Sequence, residues 1–215
     1  VPISFKTLYN WLYQGKLPSH LLSCLRQKGK RQRPPEKRGK IKIEYSIHQR
    51  PESVKNRKQF GHWELDTMVS SRGKSKGTFA TFVERTSRFF LAFKIPDRTS
   101  LSMNQVISTL RKKLPRKAMR TATVDRGSEF AGHMELKKEL KLHLYFADPY
   151  CSWQRGSNEN ANGLLREFFP KKTDLALVKE EELQRALFLI NSRPRKCLGW
   201  KTPYEVFLDK LSHLN

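Results

Sequence analysis

The chain has 215 residues and a formal net charge of +23, from 43 Lys and Arg against 20 Asp and Glu. This length and a 37% hydrophobic content fit one main folded domain with an appendage, and the absence of an apolar run of about 18 residues argues against a membrane span. The charge calls for a polyanionic partner, nucleic acid ahead of an anionic membrane. Cys24, Cys151 and Cys197 are odd in number and far apart, which disfavours a disulfide framework or a zinc knuckle and suits reduced cytoplasmic thiols. No signal-peptide pattern opens the sequence.

Basic residues concentrate at the front. Residues 1–58 hold 15 Lys and Arg and 3 acids, a net of +12, whereas the longer remainder holds 28 and 17, a net of +11. In chain order, SFKTLYNWLYQG predicts a short helix capped by Ser4, with Leu8, Trp11 and Leu12 on one face. One helix cannot bury that face alone. It is either the last piece of a helical DNA-binding unit within residues 1–25 or a helix docked on the main domain. RQKGKRQRPPEKRGKIK holds nine Lys and Arg and one acid around a Pro-Pro. It is expected to be part of a solvated linker over 26–58, with Lys28, Lys30, Arg31 and Arg33 contacting DNA phosphates.

From residue 59 the pattern changes to that of a folded domain. HWELDTMVS alternates as a strand; GTFATFVERT and RFFLAFKIP form a second and third, joined as a hairpin. SMNQVISTLRKKL is helical, TVDRGSEF a strand ending in a turn, HMELKKELK a helix, and LHLYFADPY a strand. SNENANGLLREFF and KEEELQRALFLINS close the order as two helices. The pattern β-β-β-α-β-α-β-α-α predicts a mixed α/β domain.

Three carboxylates stand at element ends: Asp66 in the first strand, Asp125 at the end of a later one, and Glu159 near the start of a helix. The 33 residues between Asp125 and Glu159 allow a helix, a strand and a loop to bring the chain back. If the three meet, like charges at close range require cations, and Mg²⁺ is the natural partner for an all-oxygen set. Two such ions about 3.5–4 Å apart clamp both oxygens of a phosphodiester displacement. Ser157 is the expected N-cap of the helix, with Gly163 and Arg166 on the face of Glu159. Glu64, Glu129 and Glu167 are rival acids. Tyr150 and Trp153 are read either as base-stacking groups or as core packing.

GHWELD (61–66), TVDRGSEF (123–130), YCSWQRGSNENANGLLREFFPK (150–171) and RPRKCLGWKTPYEVF (193–207) together resemble the insertion-sequence-thirty (IS-thirty) family of DDE transposases. The resemblance implies an RNase H-like, retroviral integrase-type mixed sheet over residues 59–213 with helices on both faces. It implies Asp66, Asp125 and Glu159 as catalytic and metal-holding residues, with two Mg²⁺ or Mn²⁺ ions, and DNA contacts from Asn160, Arg166 and Lys171. The implied activity is cleavage of element ends and strand transfer into target double-stranded DNA by a homo-oligomer in the bacterial cytoplasm, associated with the nucleoid. Two alternatives stay open: a metal-dependent nuclease on the same fold, and a truncated remnant that only binds DNA. Arg126 stands where the family usually has Asn, which suggests a phosphate contact or decay of the element. The family's helix-turn-helix segments lie ahead of the residues present here, so terminal-repeat recognition is expected to be lost.

Overall fold

The computed structural model describes residues 3–25, 41–71, 73 and 75–214. Lys28, Lys30, Arg31 and Arg33 lie outside the described residues. The chain divides into two units, residues 1–38 and 39–215. In the first, helix α1 (Phe5–Tyr13) is capped by the Ser4 hydroxyl, which accepts from the Lys6 amide at 3.3 Å, and a 3₁₀ turn spans Ser19–Cys24. Neither element contains a buried residue, so the face of Leu8, Trp11 and Leu12 has no core of its own.

The second unit contains β1 (Tyr45–Ser46), α2 (Glu52–Lys55), β2 (His62–Val69), β3 (Thr78–Glu84), β4 (Phe90–Ile95), α3 (Ser100–Lys113), β5 (Thr121–Val124), α4 (His133–Leu140), β6 (His143–Phe146), α5 (Gly156–Phe168), α6 (Glu180–Asn191) and α7 (Pro203–Ser212). Its six-stranded sheet has the order β1-β6-β5-β2-β3-β4. β2, β3 and β4 form an antiparallel meander, while β5, β6 and β1 continue in parallel from β2. The expected elements from β2 to α6 appear in the expected order. β1, α2 and α7 are additions, and Ile47 and Val54, within the stretch read as linker, are buried.

Apolar side chains cover both faces of the sheet. On one, Trp63, Leu65 and Phe82 pack with Met103 and Ile107 of α3, Leu136 of α4 and Phe207 of α7. Phe207 stacks on Phe89 with centroids 4.1 Å apart and meets the Trp63 ring edge-on, which ties the last helix to the meander. On the other face, Phe79, Val83 and Phe90 pack with Leu165 of α5 and with Leu183, Leu187 and Ile190 of α6. Every residue of β3 is buried, which explains why TFATFVE lacks clean polar alternation.

At the start of β2, Gly61 has φ +95°, and a Cβ there would collide with the Lys117 carbonyl, so only glycine fits this entry. His62 follows, buried between the Thr121 hydroxyl at 2.7 Å and the Gln59 side-chain oxygen at 2.8 Å. Burial pushes its pKa down to about 4, helped by the positive charges of Arg120, Arg85 and Arg50. The folded state therefore binds this proton less readily than the unfolded chain. Stability is intact above about pH 6.5 and falls as pH drops towards 4, by a total of about 3 kcal/mol. Burial raises the pKa of Glu84 and Asp66, which act in the opposite sense. Denaturant melts at pH 7 and pH 5 should show a smaller acid-induced loss for His62→Gln than for wild type, and that difference isolates the imidazole.

Candidate active site

β2 and β5 lie side by side in parallel, with Glu64 opposite Thr123 in the last paired register. Asp66 and Asp125 each sit two residues beyond that pair, so the two strands deliver both carboxylates to the same end of the sheet. The turn after Asp125 tightens around its side chain. The Gly127 amide donates to Asp125 Oδ1 at 2.9 Å, and a Cβ at Gly127 would lie 2.8 Å from that oxygen and collide with the Glu129 carboxylate.

Arg155 lies between the aspartates. Its Nη1 is 3.4 Å from Asp66 Oδ2 and its Nη2 is 3.2 Å from Asp125 Oδ2, while Nη1 also donates to the Leu65 carbonyl at 3.3 Å. One guanidinium thus bridges two carboxylates, in the position a metal cation would take between them. Burial raises the Asp66 pKa, the Arg155 charge opposes this, and Asp125 adds to the rise. Asn162 of α5 donates to Asp66 Oδ2 at 3.3 Å.

Glu129, expected as a rival acid, is fully buried next to this pair. Its Oε1 accepts from the Thr67 hydroxyl at 2.9 Å and from Arg98 Nε at 2.8 Å; its Oε2 has no hydrogen-bond partner. Glu64, the other β2 acid, has a different task. It is fully buried, ion-paired with Arg85, and accepts from the Asn158 amide at 3.0 Å. A carboxylate from β2 therefore caps the positive end of α5. This corrects the expectation for Ser157, which lies inside the helix, buried, with its hydroxyl accepting from Arg88 Nη1 at 2.9 Å.

Glu159 is in the first turn of α5 and exposed, one helical turn before the Asn162 that reaches Asp66. Among the described residues no three of His, Cys, Asp and Glu stand close enough to hold a metal ion together. The structure unites Asp66 and Asp125 and does not bring Glu159 to them; the α5 residue that reaches Asp66 is Asn162. Of the expected DNA contacts, Asn160 and Lys171 are exposed. Arg166 donates to the carbonyls of Val69 at 3.1 Å and Phe169 at 3.4 Å. Arg126 donates to the Ala147 carbonyl at 3.3 Å, with Asp148 4.0 Å away. Tyr150 is 63% exposed and Trp153 71%, which rules out core packing for both. Sequence reading missed Arg155 altogether; the signal was a lone arginine one turn ahead of the candidate acid.

A six-stranded mixed sheet, clad in helices on both faces and gathering aspartates at the ends of adjacent parallel strands, defines an integrase core of the RNase H-like class. Residues 56–152 match the integrase core domain family, a span that includes Asp66 and Asp125 and ends before Glu159. The fold is similar to the catalytic core domain of bovine immunodeficiency virus (BIV) integrase, at 25% identity and a TM-score of 0.54, covering 70% of this chain and 95% of that one. Over 218 residues the chain is 38% identical to the transposase for insertion sequence element IS1086 of Cupriavidus metallidurans, covering 98% of this chain and 64% of the relative. It is 39% identical to transposase InsI for insertion sequence element IS30C of Escherichia coli K12 over 214 residues, covering 95% and 55%. Along nearly its whole length the chain is thus similar to transposases of the IS30 type. It spans between half and two thirds of the length of these curated relatives. No helix among the described residues is long and apolar enough to cross a membrane.

Two substitutions test this anatomy. Glu64→Gln should cost about 3–5 kcal/mol in chemical denaturation, because it strands Arg85 as a buried, uncompensated charge; Glu64→Gln/Arg85→Met should recover part of the loss. A Cβ at Gly163 would meet nothing within 4 Å. Gly163→Ala should therefore raise stability by about 1 kcal/mol on helix propensity alone, measured by the same melts.

Proposed function

We propose that this chain is the catalytic core of a transposase that cuts a DNA strand at the ends of a mobile element and joins the exposed 3′-hydroxyl to target double-stranded DNA. Asp66 and Asp125 would hold a divalent cation, with Glu159 completing the set. The observation that carries this reading is the Arg155 guanidinium shared between the two aspartates, which marks a position where carboxylates converge and a cation is required. The donor set fits Mg²⁺ or Mn²⁺: it is all oxygen, one cation already spans it, and the buried Glu129 oxygen without a partner adds negative potential beside it. When bound, such ions activate an oxygen nucleophile and stabilise the departing oxygen of a phosphodiester.

The chain's own residues do the positioning. β2 and β5 fix the aspartates by strand register, and Asn162 orients Asp66. Glu159 lies on the same helix face as Asn162 and needs a side-chain rotation or a first-turn shift of α5 to reach the aspartates. Arg155 must leave them when a metal enters, and its fork is then free to contact the phosphate under attack. Lys171, Arg126, and the basic stretch containing Lys28, Lys30, Arg31 and Arg33 add charge for backbone contact. A homo-oligomer acting on the nucleoid in the cytoplasm is the assembly this chemistry suits.

Incubation of the protein with a pre-cut 3′-hydroxyl end and a target plasmid in Mn²⁺ should give joined product, and Asp66→Asn, Asp125→Asn and Glu159→Gln should each abolish it with DNA binding retained. Cleavage without joining would identify a nuclease, and unchanged behaviour of all three variants would leave a DNA binder. Calorimetric titration with Mn²⁺ tests the place of Arg155. Arg155→Gln should bind the ion several-fold more tightly than wild type while melting at a lower temperature in chelator. Weaker binding by Arg155→Gln would show that the guanidinium supports the metal site and does not compete for it.

A further inference from the structure

Behind α5, on the side away from Asp66, lies a cavity of about 390 Å³ that has no part in the metal chemistry. Its floor is apolar, from Val83, Phe90, Leu164 and Ile190, and its walls carry Arg57, Arg88 and Arg195. No Asp or Glu lines it, and none of the three arginines forms an ion pair with an acid among the described residues. Arg57 and Arg88 both have left-handed backbones, with φ +57° and +62°, where glycine or asparagine would be less strained. Two strained positions are thus occupied by long cations that face the same cavity.

Positive charge is also dense just outside the cavity, where Arg50 and Arg85 lie near Arg57. Arg57 acts to lower the pKa of both Arg50 and Arg85, beneath the larger effect of burial. Burial lowers the pKa of Arg195; Cys197 opposes the fall, Arg193 adds to it and Glu167 opposes it. An anion in the cavity would give these guanidiniums the acidic partner that the lining lacks. Asn160 also lines the cavity, and its neighbour Glu159 belongs to the face that bears the candidate metal site. A strand seated here would pass around the first turn of α5 towards the aspartates.

Resting on the transposase reading above, we propose that this cavity is a nucleotide subsite, in which the arginines hold one phosphodiester of an unpaired DNA strand and its base lies on the apolar floor. The volume is in the range of small-ligand sites, and forked guanidiniums over an apolar base match a phosphate joined to a flat ring. The subsite would hold a strand frayed from the duplex end beside the cleavage site.

Cys197 lines the same cavity and is exposed, so it reports occupancy. In a Cys24→Ser/Cys151→Ser protein, kept in chelator so that no metal chemistry enters, the rate of Cys197 alkylation by iodoacetamide should fall at least fivefold with a saturating single-stranded oligonucleotide. A blunt duplex of the same sequence should protect much less. Arg57→Gln/Arg195→Gln should abolish the protection and lower the salt slope of single-strand binding by about 0.7, as the loss of one neutralised phosphate requires. An unchanged alkylation rate with bound oligonucleotide would overturn the subsite, as would equal protection by heparin, which carries charge and no bases. Those results would leave the metal-site reading standing, since Mn²⁺ titration of Asp66→Asn tests that alone. Absence of any DNA binding would overturn both.

Discussion

The buried contact between Glu64 and the first turn of α5 decides where everything else can be. Its carboxylate comes from β2, two residues before Asp66, and accepts from the Asn158 amide, one residue before Glu159. Arg85 pairs with it from just beyond the end of β3 and donates onward to the Val54 carbonyl at 3.2 Å. A strand, a hairpin and a helix are thus joined at one fully dry point. Such a pair is weak evidence for net stability, because desolvation offsets most of the attraction. Its consequence here is registry: the helix cannot slide along the sheet without stranding a charge, so the first turn of α5 stays beside the strand that carries Asp66.

Around that anchor the site is organised by excess negative charge in a very positive protein. Asp66, Asp125 and Glu129 gather at one end of β2 and β5, and each has a guanidinium beside it: Arg155 bridges the two aspartates and Arg98 serves Glu129. The two arginines differ in kind. Arg98 donates to an acid whose second oxygen is shut away from solvent, a fixed arrangement. Arg155 sits on a short 3₁₀ turn directly ahead of α5, between acids that retain about a quarter to a third of their side-chain exposure.

The legible part of this site was the part written in local pattern. Asp66 and Asp125 could be found because one lies within a recognisable strand and the other directly follows one, whereas the parallel register that joins them was not legible. The cap of α5 was not legible: Ser157 has the right residue type at the right place, yet the helix starts one residue earlier and takes its cap from a carboxylate 94 residues away. Local propensity cannot see a distant donor or acceptor. The same blindness hid Arg155, whose partners come from two strands, and α7, whose helix depends on Phe207 reaching Phe60, Trp63 and Phe89. β1 is only two residues long and pairs with β6 about a hundred residues on, too short to carry any periodicity of its own.

Helix α5 has two unlike sides, and the contrast explains its composition. Asn158, Ala161 and Leu165 are buried and hold it to the sheet. Asn162 turns to the acids, while Ser157, Asn160 and Leu164 border the arginine-lined cavity. On the proposed reading, a polymer of phosphates would meet carboxylates already paired with guanidiniums on one side of the helix and the cavity's arginines, which pair with no acid among the described residues, on the other. The arginine side would then hold DNA before any divalent cation is in place, and the acidic side would accept it only once such a cation is shared between protein and phosphate. This ordering follows from the signs of the charges alone. On that reading the helix divides a proposed binding site from a proposed reacting site, with Glu159 and Asn160 as adjacent residues on either side of the boundary.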